Sequence, residues 1–131
     1  MSSANSHDPR AATASELDGV RVLIVEDSWD VGTGLKMLLE TWGADPVGPV
    51  ATVEDARSLV SACRPDVALV DINLRNGEQS YGLINWLHER GIRIIVISGY
   101  PDISLAEGKA MAILPKPMRE DLLLASLRSL K

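Results

Sequence analysis

Five short apolar runs limit what this chain can fold into. Val20–Val25, Val67–Val70 and Ile92–Ile97 are rich in Val and Ile and too short for buried helices. Met111–Leu114 is a run of the same kind. Asp45–Ala51 is weaker, because Pro46 and Pro49 interrupt it. Proline cannot donate to a ladder, so this run belongs at a sheet edge. Between the runs, apolar residues recur at helical spacing. Val31, Leu35, Leu38, Leu39 and Trp42 precede Gly43, and Ala56, Leu59, Val60 and Cys63 precede Pro65. Leu83, Ile84, Trp86 and Leu87 precede Gly91. Ser28 or Asp27 suits the first helix as an N-cap, and Thr52 suits the second. Asp102–Glu107 has room only for a short fourth helix before Gly108, and a last helix is expected from about Arg119 to Leu130.

Strand and helix thus alternate five times. Strands buried on both faces and joined by helices make an α/β fold, a doubly wound five-stranded parallel sheet. Right-handed crossovers bring the C-terminal ends of all the strands to one edge, where ligands bind in such folds.

A chain of 131 residues supports one domain. Residues 1–18, rich in Ser, Ala, Asn, Thr and Asp and without apolar periodicity, are expected to be a disordered tail, with residues 19–131 as the domain. The net charge of −5 argues against a nucleic-acid partner, which needs clustered Lys and Arg. No apolar stretch approaches the ~20 residues of a membrane span, and the N-terminus lacks the order of a signal peptide. A single cysteine, Cys63, excludes an intrachain disulfide and is expected to pack as a small hydrophobe. A cytoplasmic protein with no membrane partner is the expectation.

The chemistry gathers where the strands end. Glu26 and Asp27 follow the first run, Asp71 the third, Ser98 the fourth and Lys116 the fifth. Three carboxylates at one edge repel, and a hard divalent cation relieves that repulsion. Mg²⁺ suits few carboxylates plus phosphate oxygens. A strand-end carboxylate beside Mg²⁺ is a competent nucleophile toward phosphorus. Lys116 and the Ser98 hydroxyl can offset charge on the phosphoryl oxygens. Taken singly, Asp71 reads as a loop cap, Glu26-Asp27 as a helix N-cap pair, Lys116 as a solvated lysine and Ser98 as a turn residue. Their joint placement outweighs those readings.

The acidic pair Glu26-Asp27, Asp71, Ser98 and Lys116-Pro117, in this order over about Val20 to Leu130, resemble the receiver (CheY-like) domain of bacterial two-component response regulators. The resemblance implies a flavodoxin-like (βα)5 fold with strand order 2-1-3-4-5. It implies Asp71 as phosphoacceptor, Ser98 as switch hydroxyl and Lys116 as the lysine that pairs with the phosphate. It also implies Mg²⁺ held by Glu26 (through water), Asp27, Asp71 and the Asn73 carbonyl. The expected partner is a histidine kinase or histidine phosphotransfer protein. Ile113 stands where many receivers carry an aromatic switch residue, and Tyr100 lies close by to substitute for it.

The chain ends at Lys131, so a stand-alone regulator that docks to partners, with no separate catalytic domain, is the expectation. Two other readings compete. One is a receiver-like binding module that ignores phosphate. The other is a haloacid-dehalogenase-type phosphohydrolase, which wants a second aspartate where this chain has Asn73. Leu122, Leu123, Leu124, Leu127 and Leu130 exceed one core face, so an exposed stripe for a target protein or homodimer is expected on the last helix. Trp29, Trp42 and Trp86 are expected to pack, with Trp29 bordering the pocket.

Overall fold

A computed structural model describes residues 16–72, 74, 80–99 and 108–130. Its elements are β1 (Arg21–Val25), α1 (Trp29–Thr41), β2 (Asp45–Val50), α2 (Val53–Ala62), β3 (Val67–Asp71), α3 (Tyr81–Glu89), β4 (Arg93–Ser98), β5 (Ala112–Pro115) and α4 (Glu120–Arg128). The strands form one parallel sheet in the order β2-β1-β3-β4-β5. The proline-interrupted strand is at the edge, as expected. The short helix expected over Asp102–Glu107 lies outside the described residues, and α4 is the helix that follows β5.

Side chains alternate across each strand, so the sheet feeds two apolar layers. Val22, Ile24, Leu69, Ile95 and Ile97 face α1 and α4. Leu23, Val25, Ala68, Val70, Ile94 and Val96 face α2 and α3. β3 is buried along its whole length, which is why it reads as an unbroken apolar run up to Asp71.

The helix ends follow their caps. Ser28 Oγ accepts from the Val31 N–H at 3.3 Å, and Thr52 Oγ1 from the Asp55 N–H at 3.1 Å. Gly43 and Gly91 take φ of 88° and 75° just past α1 and α3, in the left-handed region that glycine enters without strain.

Three expectations change. Leu17, assigned to the tail, is fully buried in the layer of α1 and α4. Its N–H donates to the Trp42 carbonyl, and Glu16 pairs with Arg128 of α4. A lone leucine outside any periodic pattern carries no sequence signal, yet it fills the gap between the ends of two helices. The rest of the expected tail, 1–15, lies outside the described residues. Next, the leucines of α4 form no exposed stripe. Leu123, Leu124 and Leu127 are buried, and Leu122 and Leu130 are partly buried against the same layer. α4 sits beside α1 with the 16–20 segment across its end, so it meets more than one neighbour. Finally, Val31 is half exposed, because α1 begins beyond the end of the sheet. Of the tryptophans, Trp42 is buried, Trp86 is partly buried and Trp29 is 72% exposed.

Two glycines of α1 have opposite surroundings. A Cβ at Gly32 would stand 2.7 Å from the Cβ of Pro49, whereas one at Gly34 meets nothing within 4 Å. Alanine gains about 1 kcal/mol over glycine in a helix interior. Overpacking against a proline ring costs about 1–3 kcal/mol. Gly34→Ala is expected to raise the urea midpoint and Gly32→Ala to lower it.

Candidate functional site at the carboxyl edge of the sheet

The ends of β1 and β3 are adjacent because Val25 pairs with Val70 in the ladder. Glu26, one residue past β1, therefore lies beside Asp71, the last residue of β3. Glu26 is 5% exposed and Asp71 2% exposed, unusual burial for carboxylates. With Asp27 they form a group whose ligand oxygens lie within 4.8 Å of one another. β1, β3, β4 and β5 thus do what the alternating pattern requires. Their ends bring Glu26, Asp27, Asp71, Ser98 and Lys116 to one edge.

Lys116 follows β5, the last strand of the sheet. Its Nζ reaches Asp71 Oδ1 at 3.1 Å, one partner exposed and the other buried. Its backbone is held too, since the Lys116 N–H donates to the Ser98 carbonyl at 3.1 Å. Ser98 is buried at the end of β4, where it pairs with Pro115. Asn73 lies outside the described residues.

Glu26 carries the clearest electrostatic signature. Burial pushes its carboxyl up from 4.5 to about 7. The Ser28 N–H, which donates to Glu26 Oε2 at 3.1 Å, opposes that rise. Asp71 reinforces it by its charge and by a hydrogen bond shared with Glu26, and Lys116 opposes it. One lysine does not satisfy three crowded carboxylates. An all-oxygen, anionic donor set of this kind fits a hard divalent cation such as Mg²⁺.

Two features escaped the sequence reading. The first is Ser80, fully buried ahead of α3. Its Oγ donates to the Asp71 carbonyl at 2.6 Å, and its N–H to the Ile72 carbonyl at 3.1 Å. It ties the start of α3 to the end of β3 and so fixes the backbone of Asp71. A serine before a helix reads as a cap, yet here its hydroxyl caps nothing. The second is an apolar wall. A pocket of about 400 Å³ opens over Asp71, and Val31, Leu35, Ile97, Pro117 and Met118 line it beside the acidic group, Ser28 and Lys116. Trp29 does not line it.

A family model for the response regulator receiver domain matches residues 22–128. Among solved structures, a CheY-like response regulator receiver domain from Methylobacillus flagellatus is 25% identical with a TM-score of 0.77. The match covers 86% of this chain and 98% of that one. SdrG from Sphingomonas melonis Fr1 is 33% identical with a TM-score of 0.71, over 85% of this chain and 95% of that one. The signal receiver domain of a modulated diguanylate cyclase from Desulfovibrio desulfuricans G20 is 30% identical with a TM-score of 0.73, over 83% and 90%. The DNA-binding transcriptional activator DevR/DosR of Mycobacterium tuberculosis is 44% identical over 62 residues. That stretch is 44% of this chain and spans 27% of DevR/DosR. Among the described residues no helix is long and apolar enough to cross a membrane.

The raised Glu26 pKa has a definite linkage. Between pH 4.5 and about 7 the folded protein holds a proton on Glu26 that the unfolded chain has released. Stability without metal therefore falls as pH rises through that window. Urea titrations in chelator at several pH values are expected to show that fall, and Glu26→Gln is expected to flatten it.

Proposed function

The chain belongs to the response regulator receiver domain family, and on that premise we propose that Asp71 accepts a phosphoryl group from a phosphohistidine in a Mg²⁺-dependent reaction. The donor is a histidine kinase or a histidine phosphotransfer protein. The observation that carries this reading is the contact of Lys116 Nζ with Asp71 Oδ1, inside a cluster of three carboxylates at the mouth of an open pocket. A surface salt bridge alone would mean little. Here the carboxylate is 2% exposed and faces two others, so its position serves chemistry rather than stability.

An Asp71 oxygen attacks phosphorus. The P–O bond forms as the P–N bond of the phosphohistidine breaks, and its electron pair leaves on the imidazole nitrogen. Ser80 and the β3 ladder hold the Asp71 backbone in place for attack. Lys116, already on Asp71, is placed to donate to an oxygen of the arriving phosphoryl group. Ser98 supplies a second donor from the end of β4. Glu26, Asp27 and Asp71, with the Asn73 carbonyl, would hold Mg²⁺, which offsets charge on phosphoryl oxygen when bound. Cation binding also favours the ionised form of Glu26, whose burial otherwise keeps it protonated near neutral pH.

Incubation with acetyl phosphate and Mg²⁺ is expected to add about 80 Da, one phosphoryl group, as an acid-stable, base-labile adduct. Asp71→Asn is expected to abolish it, chelator to suppress it, and Lys116→Met to slow phosphotransfer by about 10²-fold or more, as loss of a transition-state charge partner does. A wild-type chain that takes no phosphoryl group, yet binds its partner equally with and without a phosphoryl mimic, would be a phosphate-independent docking module instead.

A further inference from the structure

We infer that the seam between α2 and α3 is a docking surface for an acidic segment of a partner protein. It is separate from the Asp71 pocket, since no residue of the seam lines that pocket.

Trp86 of α3 is the centre of the seam. The Arg90 guanidinium carbon stands 3.7 Å from the Trp86 ring centroid, and that of Arg57, from α2, 5.5 Å. Arg90 Nη1 donates to the Trp86 carbonyl at 3.2 Å, and Arg64 donates to the Arg90 carbonyl. Two exposed arginines thereby stand over one indole, and a third, Arg64, holds the backbone of Arg90, whose side chain is held by the Trp86 carbonyl.

What marks the cluster is its missing counter-charge. Of the other described arginines, Arg21 pairs with Asp45, Arg119 with Asp121 and Arg128 with Glu16, and Arg93 alone lacks a carboxylate partner. Arg57, Arg64 and Arg90 have no such partner among the described residues, although the chain carries a net charge of −5. The nearest acidic positions do not serve. Glu54, three residues before Arg57 on α2, and Glu89, next to Arg90 on α3, are exposed, and among the described residues neither forms an ion pair with the three arginines. Three like charges side by side are relieved by an arriving anion.

The chemistry selects the anion. A guanidinium stacked on an indole keeps its in-plane N–H groups available for bidentate carboxylate binding. Trp and Arg together are also the side chains that anchor protein interfaces. A long polyanion such as nucleic acid would meet the repulsion of the whole acidic chain. A short acidic segment feels chiefly the local patch, because screening limits the field to about 8–10 Å.

The test is titration of the full-length chain with a synthetic peptide of alternating Glu and Leu, followed by NMR at the Trp86 indole N–H and the arginine side chains. The expected result is shifts confined to α2 and α3, strong at low salt and weakened at physiological salt. Arg57→Glu with Arg90→Glu is expected to lower affinity at least about tenfold, or about 1.4 kcal/mol. Should that pair unfold the chain, Arg57→Gln with Arg90→Gln is expected to lower affinity in the same direction. Both pairs are expected to leave phosphorylation of Asp71 by acetyl phosphate unchanged, which separates this surface from the phosphoryl site. No shift at Trp86 at low salt, or equal affinity in the folded variants, would overturn the proposal. Tighter binding of a single-stranded oligonucleotide of equal charge would overturn the choice of partner.

Discussion

Three carboxylates forced together at the end of a buried sheet are the constraint on which the rest of the structure depends. Water would separate them, and the sheet does not allow it. Val25 and Val70 are ladder neighbours, so the residues that end β1 and β3 must be close whatever their charge. The cost is visible in Glu26, whose burial holds its proton to about pH 7. Such a site is unstable by construction and is improved by anything that brings positive charge. Lys116 brings part of it, from the opposite end of the chain and across β4. The carboxylate cluster thus gains its lysine only when β5 has joined the sheet.

The two faces of the sheet divide the remaining work. The layer of α1 and α4 packs Trp42, Leu39 and Leu123 at full burial and adjoins the pocket through Leu35 and Met118. Shifts in α1 or α4 would therefore be felt at the Asp71 pocket. The layer of α2 and α3 is equally apolar inside, but its outer seam is aromatic and cationic. One domain thus presents an anionic edge and a cationic flank, with the strands between them as a rigid spacer.

Most of this architecture was legible in the sequence because it follows from short-range rules. β3 declares itself as a run of Val, Ala and Leu that ends in Asp71, since a strand buried on both faces has no polar positions to spare. The caps at Ser28 and Thr52 and the stops at Gly43 and Gly91 are local chemistry. Lys116 on Asp71 follows once the strand ends are aligned. What could not be read depends on distant packing. Leu17 has no periodic partner, and only the docked ends of α1 and α4 give it a place. The leucines of α4 suggested an exposed stripe because a sequence does not say how many neighbours a helix has. Ser80 carries no signal beyond its place before a helix, and only the packing of the start of α3 against β3 aims its hydroxyl at the Asp71 carbonyl.

The pairing of Glu16 with Arg128, beside the buried Leu17, brings together segments more than a hundred residues apart in sequence. Strands and helices run in opposite senses, so this clasp lies at the far end of the molecule from the carboxylates. From Glu16 to Arg128 the backbone is nearly a ring. Joining its two ends by a short linker and cutting the chain at an exposed turn elsewhere would keep every neighbour. Glu16 and Arg128 thus mark the edge of the described domain opposite the carboxylates.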